Sequence, residues 1–384
     1  MAPATELLDE LIEEIFFRIH PADPTTLARA ALVCRRWCRL IADPGFRRRL
    51  HEFHRVPHML GYSCNTDEGF DRYWFYGNPS RAALFVRTSS SLKRVDMERT
   101  RVLDTRHGRV LLLQPGCYLC VWDPITKEHK RIGMSLPNYP ESWNAAVLCT
   151  AAGCNHLDCH GKPYAVVLIA TTRDLIITNR IKEMRNSIYS SEATRWSETH
   201  SFVQQPENHL DLERSSPSAL VGNALYFVLK RKAKILEYNV STREIHTINL
   251  PPACFLGRRI MLMATEDGSL GFATVCDSKL CLWSTADKDV GWTRSRVIDL
   301  EALLPTRALK SPADVVGFAH GVGFFFIKTD YKGHFKIDIK SNRVKKIRPV
   351  YGSNIFPYMS FHTPALGAVA ANTCEGSSMG ASSA

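Results

Sequence analysis

A repeat of short apolar runs separated by turns constrains this chain more than any other feature. One unit covers residues 222–251. It has an apolar run over 224–229, a second run ending Ile235-Leu236-Glu237-Tyr238-Asn239, the turn formers Ser241-Thr242-Arg243, and a third run closing at Leu250 before Pro251. Related units begin at Gly108, Gly268 and Gly321, and the starts at Gly222, Gly268 and Gly321 lie 46 and 53 residues apart. Runs this short, bounded by Gly, Pro, Asn and Asp, read as strands. Each unit therefore predicts strand, hairpin, strand, turn, strand, and its period is that of a propeller blade. The gap between Gly108 and Gly222 has room for one more unit, which 164–171 with 190–196 could supply. The pattern leaves the number of blades open.

The first fifty residues have a different texture. Leu8, Leu11, Ile12, Ile15 and Ile19 recur at spacings of three and four, the stripe of a helix that Pro21 ends. Asp23-Pro24 offers a cap with proline just inside the next helix. Leu27, Ala30, Ala31, Cys34, Trp37, Leu40 and Ile41 form a second helical stripe, broken at Asp43-Pro44-Gly45. On periodicity alone, either stripe is the core face of an ordinary helix.

The chain's formal net charge is +11 over 384 residues, unevenly placed. Glu6, Asp9, Glu10, Glu13 and Glu14 make the start acidic, whereas eight arginines against Asp43 and Glu52 occupy 29–55. Such a balance raises nucleic acid, an anionic surface or an acidic protein as partners. No apolar run reaches the ~18 residues that span a bilayer, so no membrane partner is expected. The acidic start is the reverse of a secretory leader. The twelve cysteines follow no repeating spacing, which suits a reducing compartment, cytoplasm and/or nucleus.

The N-terminal segment resembles the F-box. The match rests on Leu7-Leu8-Asp9-Glu10-Leu11-Ile12-Glu13-Glu14-Ile15-Phe16-Phe17-Arg18-Ile19, then Leu27, Ala31-Leu32-Val33-Cys34, Trp37, Leu40-Ile41, Asp43-Pro44 and Phe46. The run Val-Cys-x-x-Trp-x-x-Leu-Ile-x-Asp-Pro-x-Phe is its more specific half. Where the family usually has Leu-Pro at the first helix, this chain has Leu8 in the proline slot. The remainder is similar to the propeller-like regions of plant, especially grass, F-box proteins, through Leu103-Asp104-x-Arg106-His107-Gly108-Arg109, Val121-Trp122-Asp123-Pro124-x-Thr126, Tyr189-Ser190-Ser191-Glu192 and Leu236-Glu237-Tyr238. The resemblance implies docking on a Skp-family adaptor, and through it a cullin, by Leu7, Leu8, Leu11, Ile15, Phe16, Ile19, Leu27, Val33, Cys34 and Trp37. So short a helical piece cannot bury all these side chains alone, and the surplus suits a partner interface.

Other signals have plainer readings. Cys149, Cys154, His156, Cys159 and His160 are a soft-ligand cluster, but the spacing C-x4-C-x-H-x2-C-H lacks paired C-x2-C knuckles. It is read as a loop entering the strand at 164–170, with no metal assigned. Arg35, Arg36, Arg39, Arg47, Arg48 and Arg49 are read as a solvated helix face, so nucleic acid is not expected. Trp122 and Trp283 occupy equivalent repeat positions and predict packing between blades. Arg72-Tyr73-Trp74-Phe75-Tyr76 reads as a core strand. No P-loop, H-E-x-x-H or dinucleotide glycine run is present, and no catalytic residue and no cofactor are assigned.

The expectation is an α+β multidomain chain: a small three-helix F-box over 1–50, a connecting segment over 51–100, an all-β, propeller-like substrate-binding domain over 101–364, and a disordered tail over 365–384. Functionally, it predicts a non-catalytic substrate adaptor of a Skp–cullin–F-box ubiquitin ligase. The rivals are a propeller enzyme or ligand-binding protein and a basic nucleic-acid-associated protein. Loops near 138–144, 200–216 and 256–259 interrupt the repeats and are expected to touch the substrate.

Overall fold

The structure is a computed structural model that describes residues 7–19, 24–55, 58–65, 83–87, 95–97, 100–135, 140–156, 159–173, 182–204, 210–213, 216–230, 234–252, 259–285, 291–309, 312–329, 333–347 and 354–360. The aromatic run 72–76 and the tail 365–384 lie outside them. Contacts divide the chain into two units, one running to Leu60 with 360–384, the other Gly61–Met359.

The N-terminal unit holds four helices rather than three: α1 (Asp9–Phe17), α2 (Pro24–Ala31), α3 (Arg35–Ala42) and α4 (Pro44–His54). The second stripe is split because Cys34 takes an extended conformation, and its Sγ accepts from the Trp37 N–H at 3.5 Å, capping α3. Asp43-Pro44 ends one helix and starts the next. Asp43 Oδ2 accepts from the Phe46 N–H at 2.7 Å, with Pro44 in the first turn. Ile12, Phe16, Leu27, Ala31, Ile41, Phe46 and Leu50 form the core. Phe16 stands edge-on to Trp37 at 5.3 Å, and Phe17 stacks on Phe46 at 5.3 Å.

The second unit is a six-bladed propeller. The segment 51–100, expected as a connector, carries β1 (His58–Asn65), β2 (Ala83–Arg87) and β3 (Val95–Met97). Blade 1 follows as β4 (Arg101–Arg106), β5 (Arg109–Gln114), β6 (Tyr118–Trp122) and β7 (His129–Gly133). Blade 2 is β8 (Ser142–Cys149), β9 (Tyr164–Arg173), β10 (Lys182–Ser190), β11 (Arg195–Trp196) and β12 (His200–Gln204). Blade 3 is β13 (Ala219–Val221), β14 (Ala224–Val228), β15 (Lys234–Asn239) and β16 (Ile245–Asn249). Blade 4 is β17 (Ile260–Ala264), β18 (Leu270–Cys276), β19 (Lys279–Thr285) and β20 (Thr293–Asp299); blade 5 is β21 (Ala313–Ala319), β22 (Phe324–Thr329), β23 (Gly333–Asp338) and β24 (Arg343–Ile347). The last strand, β25 (Ile355–Ser360), pairs with β1 in the order β25-β1-β2-β3, so blade 6 is assembled from both ends of the chain.

The repeat seen in sequence has a definite turn chemistry. Asp123 Oδ1 accepts from the N–H groups of Ile125 and Thr126, and Lys127, four residues on, has φ 65°. Asn239 does the same with Ser241 and Thr242 before Arg243 at φ 62°, and Asp338 with Lys340 and Ser341 before Asn342 at φ 52°. An Asx side chain mimics a backbone turn and pins where each third strand reverses. The preceding hairpin in blade 1 turns through His107-Gly108, both at positive φ, as a tight two-residue loop requires.

The core lies between blades. Alternate residues of one strand point to opposite faces. In β14, Ala224 and Tyr226 therefore join blade 4, while Leu225 and Phe227 join blade 2. In β9, Val166, Leu168 and Ala170 face blade 1, and Val167 and Ile169 face blade 3. Strands covered on both faces read as unbroken apolar runs. The outer strands β7, β16, β20 and β24 are mostly exposed, and β7, β20 and β24 are rich in charge, which blunts them as pairing edges. Trp122 meets Phe85 of blade 6 edge-on at 5.4 Å, and Trp283 joins the cluster shared by blades 3 and 4, stacked on Phe272.

Candidate functional site

On the helical unit, the ten residues implied by the F-box resemblance fall into two groups. Phe16 and Leu27 are buried in the unit's own core, and Ile19 and Trp37 pack half-buried against it. Leu7, Leu8, Leu11, Ile15 and Val33 are half or more exposed, and Cys34 is exposed beside them in sequence. Leu32, quoted in the motif but not assigned to docking, is the most exposed large apolar side chain among the described residues, at 69%. An inner ring thus holds the helices together and an outer set of large apolar side chains meets solvent. Single exposed apolar residues are ordinary, but several on so small a unit are a signature of an interaction surface.

Leu8 occupies the cap position of α1 in an extended conformation without a side-chain bond to the helix. Asp9 and Glu10 follow in the first turn, where the helix dipole favours acids. Part of the arginine cluster is internally matched. Arg36 donates from Nε to Asp9 Oδ1 at 2.7 Å and from Nη2 to the Leu7 carbonyl at 2.6 Å, and Arg49 Nη2 donates to both Glu13 oxygens at 2.6 and 2.7 Å. Each such pair contributes little to stability, under about 1 kcal/mol, but it fixes α1 against α3 and α4 and explains the opposite charges of the two sequence stretches.

On the propeller, a cleft of about 830 Å³ opens where blades 1 and 2 meet. Lys127, Lys130, Lys162, Glu128 and Glu192 line it, together with Tyr164 and Asp123. Buried Arg109, on β5, ties the two blades by donating from Nη2 to the carbonyls of Cys159, at 2.7 Å, and Lys162. His160 Nδ1 bonds Asp123 Oδ2. Burial works to raise the Asp123 carboxyl, but the His160 ring and the N–H groups of Ile125 and Thr126 hold it below the ordinary carboxylate range.

Beside this cleft, Cys149, Cys154, His156 and Cys159, four of the five members of the soft-ligand cluster read from the sequence as a loop with no metal assigned, bring their ligand atoms within 4.8 Å of one another. His160, the fifth member of the sequence cluster, turns away to Asp123. The three expected substrate loops lie partly outside the described residues. Within their described parts, Asn144 sits in β8, buried, donating to the carbonyls of Glu213 and Ser216 at 3.2 Å each, which is a structural task. Among the described residues no helix is long and apolar enough to cross a membrane.

The four N-terminal helices and the closed six-bladed ring define an F-box protein with a propeller. Residues 9–52 match the F-box-like family, and residues 101–366 match the family described as F-box protein AT5G49610-like, beta-propeller. The chain belongs to that second family, which covers more than half of it. No curated protein matches. Among solved structures, the chain is similar to "YCF48 bound to D1 peptide" at 8% identity and TM-score 0.38, covering 70% of this chain and 75% of that one. It is also similar to "Crystal structure of the WD40 domain of SCAP from fission yeast" at 13% identity and TM-score 0.35, covering 71% and 60%.

Proposed function

We propose that this chain is the substrate-recognition subunit of a plant Skp–cullin–F-box type ubiquitin ligase, working in the cytoplasm and/or nucleus. Its helical unit docks on a Skp-family adaptor and so on a cullin. Its propeller holds a target protein, and the chain itself performs no chemistry. One observation carries this reading: Leu7, Leu8, Leu11, Ile15, Leu32 and Val33 are exposed on a helical unit that already has a complete core of its own. Covering them needs another protein, because folding leaves them in water. Burying such side chains is worth about 1.5–3 kcal/mol each, enough in sum to hold a lasting interface.

The propeller suits the second task. Its blades are rigid, and the cleft between blades 1 and 2 presents lysines and acids from several turns on one scaffold. The nucleic-acid reading loses support because Arg36 and Arg49 already serve Asp9 and Glu13.

The test is co-purification of the full chain with a recombinant Skp adaptor, comparing wild type with Ile15→Asp/Val33→Asp. Both positions are exposed, so the change leaves the helical core intact and should abolish association. Wild-type recovery of the adaptor with the double variant would sink the proposal.

A further inference from the structure

The end of β8 and the loop from Thr150 to Pro163, which leads to β9, bring three thiols and one imidazole together at one place. Cys149 ends β8, and Cys154, His156 and Cys159 stand on the loop. The loop is wound tightly enough that Gly153, His156 and Gly161 all have positive φ. We propose that Cys149, Cys154, His156 and Cys159 form a structural zinc site, with His156 ligating through Nδ1.

The distances carry the proposal. The Sγ atoms of Cys154 and Cys159 are 3.7 Å apart, and Cys159 Sγ lies 3.7 Å from His156 Nδ1. A tetrahedral ion with Zn–S near 2.3 Å and Zn–N near 2.1 Å sets its ligands about 3.8 Å (S to S) and about 3.6 Å (S to N) apart. The thiols are far beyond the ~2.05 Å of a disulfide and at the spacing that a shared cation imposes. Four protein ligands close the coordination shell, which is the structural rather than the catalytic form.

The surroundings fit such a centre. Three thiolates and a zinc ion carry one net negative charge, and Lys162 Nζ donates to Cys154 Sγ at 3.4 Å. The His156 backbone N–H also donates to that sulfur at 3.4 Å. Such outer contacts orient ligands and stabilise thiolates. The ring of His107, from blade 1, stacks on His156 at 4.1 Å, and its Nδ1 accepts from the Cys149 N–H at 3.1 Å. Arg109 grips the carbonyls of Cys159 and Lys162 from the same blade. Zinc here would lock the loop that crosses the seam between blades 1 and 2 and shape one wall of the cleft.

The full-length protein, purified under reducing conditions without chelator, should carry stoichiometric zinc by elemental mass spectrometry. Replacement with Co²⁺ should give the visible bands of a tetrahedral thiolate site. Cys159→Ser and His156→Ala should each hold at least about tenfold less metal, and Cys276→Ser, in blade 4, should hold as much as wild type. The wild-type measurement does not depend on the variants folding. Wild-type protein that contains no zinc and takes up neither Zn²⁺ nor Co²⁺ in reductant would overturn the proposal, as would a Cys154–Cys159 disulfide in protein lysed under thiol-trapping conditions.

Discussion

Tyr358 on the last strand donates its hydroxyl to the carbonyl of Gly108 in the first hairpin of blade 1, 3.0 Å away and 250 residues apart in sequence. Thr105 Oγ1 adds a bond to the Pro357 carbonyl at 2.8 Å, and Asn65 clamps Val102 through both its N–H and its carbonyl. The ring is therefore closed by contacts between the ends of the chain. Tyr358→Phe leaves a buried carbonyl without its partner and should cost roughly 1–2 kcal/mol. Urea unfolding monitored by fluorescence would read this as a lower midpoint with an unchanged slope.

Chain boundaries follow from the same closure. A chain starting at Arg101 keeps every repeat legible in sequence but loses β1, β2 and β3, and with them Tyr62 against Phe326 and Phe85 against Trp122 and Tyr358. It should unfold without cooperativity or aggregate, whereas a chain starting at residue 56 should be monomeric and β-rich. Size exclusion and circular dichroism of the two separate these outcomes.

Gly317 sits where β25 passes β21. A Cβ there would stand 2.6 Å from the Ile355 carbonyl oxygen, which is backbone and cannot swing aside. Gly317→Ala should destabilise the propeller by about 1–3 kcal/mol. Gly133→Ala, where a Cβ meets nothing within 4 Å, is the control, and thermal melts of both variants measure the difference.

Burial separates two kinds of F-box substitution. Leu27→Asp places a charge in the helical core and Trp37→Ala removes the ring that meets Phe16 edge-on. Both should unfold the helices, with Leu27→Asp costing about 3 kcal/mol or more. Leu8→Asp and Leu32→Asp change exposed positions and should leave the helices protected. Hydrogen exchange over residues 9–54 distinguishes the two groups.

Asp338 gives a pH dependence. Partial burial works to raise its carboxyl, but the Ser341 hydroxyl, the N–H groups of Lys340 and Ser341, and the Lys336 charge together hold it below the ordinary carboxylate range. A depressed carboxylate contributes stability that is complete above its unfolded pKa, near 4, and is lost as pH falls through the lower folded value. Melting temperature should therefore fall less between pH 6 and pH 3 in Asp338→Asn than in wild type.

Local chemistry decided what was legible in the sequence. Asp123, Asn239 and Asp338 each fold the turn that follows them through their own side chains, so the repeat they mark could be read without knowing any distant contact. The helical stripes at Leu8–Leu11–Ile15 and at Leu27–Trp37 are legible for the same reason, because three- and four-residue spacings are a property of one helix. Periodicity marks an apolar side chain, however, and does not say which neighbour covers it. Only tertiary structure separated buried Phe16 and Leu27 from exposed Leu8 and Val33, and only it added Leu32. Blade 6 was hidden because its strands lie at opposite ends of the chain, and sheet pairing depends on three-dimensional proximity that no local spacing records. Cys149, Cys154, His156 and Cys159 meet for that reason too: a strand end and a tightly wound loop, held across the blade seam by Arg109 and His107, bring together ligands whose sequence spacing follows no familiar metal-binding pattern.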